Sequence, residues 1–161
     1  MKVALYNDMA NKNPTEVLLW SIVLPGFGQF LNGKYIKGLA LLSLEFLVNV
    51  KGHLNEVILL SFQGENEKAI QQADYQWLMF YACLYSFAMW DAYKDAGGGK
   101  TPFASLPFVF SVYFVTIGMI YSSKITLFGE KIGPLWLPLL SVIPGLLAGY
   151  ILQRILRKKL S

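Results

Sequence analysis

Apolar residues fall into five runs along the chain, separated by short polar stretches. The runs cover residues 17–24, 39–50, 77–93, 102–122 and 134–152. A helix needs about 20 mostly apolar residues to cross the bilayer core, and several of these runs come close to that length. The pattern predicts an all-α, polytopic integral membrane protein with four to five transmembrane helices.

The pattern also predicts one membrane domain over residues 1–161, with three parts. Residues 15–95 hold an N-terminal hairpin and a third helix, residues 102–153 a C-terminal helix pair, and residues 154–161 a basic tail. Pro25 interrupts the first run, because a proline lacks the N–H that a helix interior uses. This run either spans with a kink or re-enters and returns, and both arrangements stay open.

Composition supports the membrane prediction. Of 161 residues, 55% are apolar and 15% charged, and the mean hydropathy is +0.44. The net charge of +4 could suggest nucleic acid, but the basic residues lie in short loops and in the tail, where they mark topology. We expect the lipid bilayer as partner, with a membrane protein or a second copy of the chain, and no nucleic acid.

The chemistry-bearing residues are few. Cys83 is the one cysteine and His53 the one histidine, so no disulfide or cysteine-based zinc site is expected within the chain. No cofactor, metal or catalytic residue is predicted. The N-terminal residues show no small-residue cleavage pattern, so a removed signal peptide is not expected either.

The distribution of lysine and arginine predicts the orientation. If every run spans, one face holds eight basic residues and the other holds six, Lys2, Lys12, Lys51, Lys68, Lys124 and Lys131. If the first run re-enters, Lys2 and Lys12 change sides and the split is ten to four. In both cases the C-terminus is predicted to be cytoplasmic, in a cell inner membrane. The eight residues are Lys34, Lys37, Lys94, Lys100, Arg154, Arg157, Lys158 and Lys159.

The stretch between the first two runs has the features of a tight helical corner. Small residues allow close helix approach, Asn32 and Gly33 tolerate a positive φ, and the Gln29 amide can satisfy a polar group that Pro25 leaves free. A packing hairpin without a ligand is the simplest interpretation. The corner motif consists of Pro25, Gly26, Gly28, Gln29, Gly33 and Gly38.

With the later Trp90-Asp91, this motif resembles the two-transmembrane-helix domain family and related small bacterial proteins with a Pro-Gly-x-Gly-Gln signature. The resemblance covers about residues 15–95. It departs from the family in the turn, where Gln29 to Asn32 replace a charged and aromatic sequence, and in the long insertion over 52–75. It implies a hairpin architecture and no particular activity.

A polar stripe is predicted on the second helix. Glu45, Asn49, His53 and Glu56 follow at spacings of four, four and three, so they share one face if the helix continues past Gly52. An ionisable residue within an apolar helix is costly and suggests a proton or cation site. The alternative is a Glu45 hydrogen-bonded to a neighbour such as Tyr81 or Tyr85.

Two further groups are singled out by spacing. Asp91, Lys94 and Asp95 lie at the end of the third helix and could pair with Lys34 or Lys37 at the corner, forming a cytoplasmic latch. Gly145 and Gly149 form a small-xxx-small pair that suits close helix packing.

These features favour a non-enzymatic membrane protein of structural, scaffold or partner-binding type. The alternative is a small-solute or ion pathway that uses the polar stripe, and a weaker one is a membrane enzyme that uses Asp91 and Lys94. A stripe that lines a water-filled cavity would favour the pathway. A stripe buried against tyrosines, or lying outside the bilayer, would favour the scaffold.

Overall fold

The computed structural model describes residues 13–160, most of which are helical. The elements in chain order are α1 (Pro14–Val23), α2 (Phe27–Leu31), α3 (Tyr35–Gly52), α4 (Leu54–Phe62), α5 (Asn66–Gln72), α6 (Tyr75–Asp95), α7 (Leu106–Tyr121), β1 (Thr126–Leu127), β2 (Glu130–Lys131) and α8 (Gly133–Leu160).

Helices α1 and α2 form a short hairpin that turns back on itself. Helix α1 ends before Leu24, which is extended (φ −156°, ψ 126°) because a residue that precedes proline disfavours the helical region. Gly26 then adopts φ +104°. Helix α2 returns along α1, and a Cβ on Gly28 would lie only 2.6 Å from the Ala92 Cβ of α6. Both ends of the hairpin therefore lie at the same end of the bundle.

Helix α3 runs antiparallel to α6 along most of its length. Its start meets the end of α6, where Lys37 contacts Asp91. Its end meets the start of α6, where a Cβ on Gly52 would lie 3.2 Å from the Trp77 Cβ. Between them, Leu41 and Val48 pack with residues of α6 into a buried apolar cluster.

Helices α4 and α5 occupy the segment after α3. A second apolar cluster joins Leu54 of α4 to Leu78 of α6 and Met119 of α7. The Trp136 indole at the start of α8 donates to the Ser61 carbonyl oxygen over 3.1 Å. These contacts join α4 to α6, α7 and α8 at the far end of the bundle, opposite the contact between Lys37 and Asp91.

Helices α7 and α8 pack closely because two glycines face α7. A Cβ on Gly145 would lie 2.7 Å from the Ser111 Cα, and one on Gly149 would lie 2.6 Å from the Pro107 Cα. The spacing of these glycines predicted close packing, and the partner helix is α7. The connection between the two helices contains the β1–β2 hairpin, whose turn residues Phe128 and Gly129 both have positive φ.

The prediction of four to five transmembrane helices is wrong. Among the described residues, one helix, Gly133–Leu160, is long and apolar enough to cross a membrane. Helix α1 has 10 residues and α7 has 16, so both are short of a full span. Helix α3 is longer, but its 18 residues include three charged ones, Lys37, Glu45 and Lys51. Counting apolar runs ignored where each helix begins, ends and carries charge.

We expect Gly149→Leu to lower the free energy of unfolding by about 1 to 3 kcal/mol, since the added side chain would collide with the α7 backbone. Leu147→Phe enlarges an exposed side chain of the same helix and should change the free energy of unfolding by less than about 0.5 kcal/mol. Thermal unfolding of the purified variants, followed by circular dichroism, measures both. Equal stability of the two variants would contradict the packing described here.

Candidate functional site

The corner motif forms a polar connection between the hairpin and α6. Gln29 is fully buried, and its Nε2 donates to the Ala88 carbonyl oxygen at 2.9 Å and to Asp91 Oδ2 at 3.1 Å. One turn further along α6, the Ala92 carbonyl oxygen accepts from Asn32 Nδ2 at 2.8 Å. The two amides thus hold the short helix α2 against two successive turns of α6.

The same connection leaves two acceptors without a partner in the described part of the chain, Gln29 Oε1 and Asn32 Oδ1. A buried acceptor without a donor costs free energy, so the two unpaired amide oxygens offset part of the stability that the two amide N–H donors contribute. Directional donors also specify one seating of the hairpin on α6, which apolar contacts alone do not.

Lys37 extends this connection to the surface. Its Nζ lies 2.8 Å from Asp91 Oδ1 and 3.1 Å from Asp95 Oδ2. Hydrogen bonds to Asp91 and Asp95 raise the pKa of Lys37 above its ordinary value. Of the five latch residues, the structure brings these three together. Lys34 and Lys94 are exposed and form no ion pair within residues 13–160.

The motif glycines serve close approach and the turn. A Cβ on Gly26 would lie 2.7 Å from the Gly38 carbonyl oxygen, and one on Gly38 would lie 2.8 Å from the Phe30 ring. Gly33 has φ +72°, which L side chains rarely adopt. Pro25 is fully buried at the tip of the hairpin.

The four residues of the predicted polar stripe do not share one helix face. The helix ends at Gly52, and His53 has φ +53°, which turns the chain into α4. Glu45 is buried, and its Oε1 accepts from the Tyr81 hydroxyl at 3.2 Å. His53 and Glu56 are exposed at the far end, 3.8 Å apart, and Asn49 is half-buried between. The prediction of a continuous stripe is therefore wrong, because the left-handed backbone conformation of His53 ends α3 and starts a separate helix, α4.

Charge differs strongly between the two ends of the bundle. The basic end, defined by the α2–α3 corner, the α6–α7 connection and the end of α8, holds all eight basic residues assigned to one face above, with Glu16, Asp91 and Asp95. The far end holds Lys51, Lys68, Lys124 and Lys131 with five carboxylates, Glu56, Glu65, Glu67, Asp74 and Glu130. Among the described residues the basic end is thus +5 and the far end −1. Lys2 and Lys12 lie outside the described residues.

Several contacts were not predicted from the sequence. Gln153 of α8 donates to the Pro102 carbonyl oxygen and to Thr101 Oγ1, both at 3.3 Å, and so ties the end of α8 to the α6–α7 connection. The sequence signal for this contact is that Gln153 is a polar residue within a mostly apolar helix. Within residues 13–160, no three histidine, cysteine or acidic side chains lie close enough to share a metal ion.

Comparison with known proteins finds no family model that matches the chain, and no significant match among curated proteins or solved structures. The resemblance to the two-transmembrane-helix domain therefore stays a prediction that rests on the motif residues.

We expect Gln29→Leu to lower the free energy of unfolding by about 1 to 3 kcal/mol, because the variant removes one buried hydrogen bond to a carbonyl oxygen and one part-buried hydrogen bond to a carboxylate. Gln71→Leu makes the same change at an exposed site and should shift the free energy of unfolding by less than about 0.5 kcal/mol. Unfolding of the purified proteins measures both values. A Gln29 variant as stable as the Gln71 variant would show that the amide does not hold the hairpin.

The ion pairs of Lys37 should give a pH dependence at alkaline pH. Because its pKa is raised on folding, the pairing stabilises the protein below the ordinary lysine pKa of 10.5 and is lost as pH rises through the higher folded value. Lys37→Met should therefore lose less stability than the wild type over this rise. The effect is expected to be less than about 1 kcal/mol, since Lys37 is half exposed.

The matched control is Lys34→Met, which removes an exposed lysine from the same corner. Unfolding is measured for the three proteins at several pH values on both sides of 10.5. Parallel curves for the wild type and Lys37→Met would contradict the role of this pair.

Proposed function

We propose that the chain is a non-enzymatic membrane protein of structural or partner-binding type, seated in the bilayer through α8. The observation that carries this proposal is the distribution of apolar side chains. Within residues 13–160, 33 large apolar side chains are exposed and 12 apolar residues are buried. Apolar surface of this extent is expected to be covered by lipid or protein.

Helix α8 supports a membrane location most directly. Only 17% of its most apolar stretch is buried inside the structure, so it differs from the buried core helix of a soluble domain. Its outward residues include Ile143, Leu147 and Ile151, whereas Gly145 and Gly149 face α7. We propose that α8 crosses the bilayer and that α7, which is shorter than a full span, packs antiparallel along it within the bilayer.

The charge difference supports one orientation. Within the described residues, eight lysines and arginines lie at the basic end and four at the far end. The positive-inside rule then puts the basic end, with the C-terminus, in the cytoplasm of a cell with an inner membrane.

The connections of α6 support a structural role. Directional side-chain contacts reach α6 from α2 through Gln29 and from α3 through Lys37 and Glu45. A bundle fixed in this way suits a protein that presents a constant surface to a membrane partner or to a second copy of the chain.

A small-solute or ion pathway is the second candidate. Glu45 favours it, because it is buried and its Oε2 has no partner in the described part of the chain. The other members of the stripe oppose it, since His53 and Glu56 lie at the exposed far end. Proton flux into liposomes containing the wild type or Glu45→Gln separates the two candidates. Flux that the variant abolishes would favour the pathway.

We expect the expressed chain to stay with the membrane fraction after an alkaline carbonate wash and to be released by detergent. A C-terminal fusion to green fluorescent protein should fluoresce, and one to alkaline phosphatase should be inactive, because the C-terminus is cytoplasmic. Chain released by carbonate would contradict the membrane proposal. An active phosphatase fusion would contradict the orientation only.

The partner-binding role is tested by purification in mild detergent with mass measurement. A complex heavier than one chain with its detergent, of fixed composition, is the expected result. A chain that stays single under these conditions would contradict it.

A further inference from the structure

An apolar groove runs between α6 and α7 near the basic end. Its volume is about 250 Å³, and its walls include Cys83, Phe87 and Trp90 of α6 and Phe108 and Val112 of α7. From Cys83 to Trp90 the α6 wall is seven residues long, which is roughly 10 Å at 1.5 Å per residue. The groove thus follows the two helices, and its exposed surface is mostly apolar, although Ser86 and Ser105 also line it.

Aromatic rings pack against one another at the basic end of the groove. The Trp90 ring centroid lies 5.4 Å from that of Phe108, and the Tyr93 centroid lies 6.3 Å from the same ring. Gly99 packs on this layer, since a Cβ there would lie 2.6 Å from Trp90 Cη2. The α6–α7 connection therefore passes directly over the end of the groove.

Positive charge is concentrated where the groove ends. Lys94 follows Trp90 by four residues, so the two lie within about 40° around the helix, whereas Asp91 is about 100° from Trp90. Lys100 follows Gly99 in the connection, and both lysines are exposed. Helix α7 also begins here, and its N-terminal end carries a partial positive charge.

We propose that this groove binds one acyl chain of an anionic phospholipid, whose headgroup phosphate contacts Lys94, Lys100 and the N-terminal end of α7. Charge complementarity favours this occupant, because an apolar groove that ends at two exposed lysines matches a molecule with an apolar chain and an anionic headgroup. The inference rests on the proposed membrane location.

Cys83 provides the reporter, because it is the single cysteine of the chain and lies exposed in the groove. Its alkylation by N-ethylmaleimide is followed in detergent while dioleoyl phosphatidylglycerol is titrated. The anionic lipid should slow alkylation at lower concentration than dioleoyl phosphatidylcholine. Glycerol 3-phosphate, which has the charge without the chains, should not slow it. Equal rates with and without phosphatidylglycerol would overturn the proposal, and equal protection by both lipids would overturn its anionic part.

The headgroup contact is tested with Lys94→Gln/Lys100→Gln. Half-protection should then need about 30-fold more phosphatidylglycerol, since each lysine near an anionic lipid contributes about a fivefold factor. Lys158→Gln/Lys159→Gln removes two lysines from the same end that lie on α8, which does not line the groove, and it should change half-protection much less. Equal shifts in the two variants would show a general attraction of the basic end and would overturn the assigned contact.

The acyl-chain site is tested by filling the groove. Val109 lines it and is 56% exposed, and Val50 of α3 is 55% exposed outside it. Val109→Trp should lower the phosphatidylglycerol retained after purification, measured by mass spectrometry, whereas Val50→Trp should not. Equal retention would overturn the site. The carbonate wash keeps this result separate from the membrane proposal, because loss of the site leaves the chain in the membrane.

Discussion

The buried amide of Gln29 is the contact that seats the N-terminal hairpin on α6 and on which the position of α3 depends. It is fully buried and fixes α2 against α6 through Ala88 and Asp91. Since α3 follows α2 after a short turn, this contact also sets the register of α3. Eight residues along α3, from Lys37 to Glu45, correspond to ten residues back along α6, from Asp91 to Tyr81. A shift of the hairpin along α6 would break these contacts together.

A register fixed by polar contacts is consistent with a molecule whose apolar residues mostly face outward. Where apolar surface is covered by lipid, apolar burial between helices gives little driving force, and small residues with directional hydrogen bonds decide which helices pair. Both devices occur here. Gly28 and Gly149 permit close approach, and Gln29 and Gln153 supply donors within otherwise apolar surroundings.

The sequence predicted the features that depend on local residue type. The end of the first helix before Pro25 and the positive φ of Gly33 follow from residue chemistry. The contact between Lys37 and Asp91 was one of several pairings that the sequence left open. Features that depend on backbone conformation or distant contacts were missed. Residue type alone does not indicate that His53 takes a left-handed conformation, and this conformation ends the predicted stripe. Nothing local to Gln29 reveals an acceptor 59 residues away.

The return of the first hairpin links these observations. The antiparallel packing of α3 on α6 and of α8 on α7 brings the corner, the α6–α7 connection and the end of α8 to the basic end, and the return of α1 adds Glu16 there. A first segment that crossed the bundle would instead place its two ends far apart. The returning path brings Gly28 against Ala92, where the lack of a Cβ allows α2 to approach α6 closely. The eight lysines and arginines share the basic end whether the first segment spans or returns, so the glycine-mediated packing that seats Gln29 decides only at which end α1 begins.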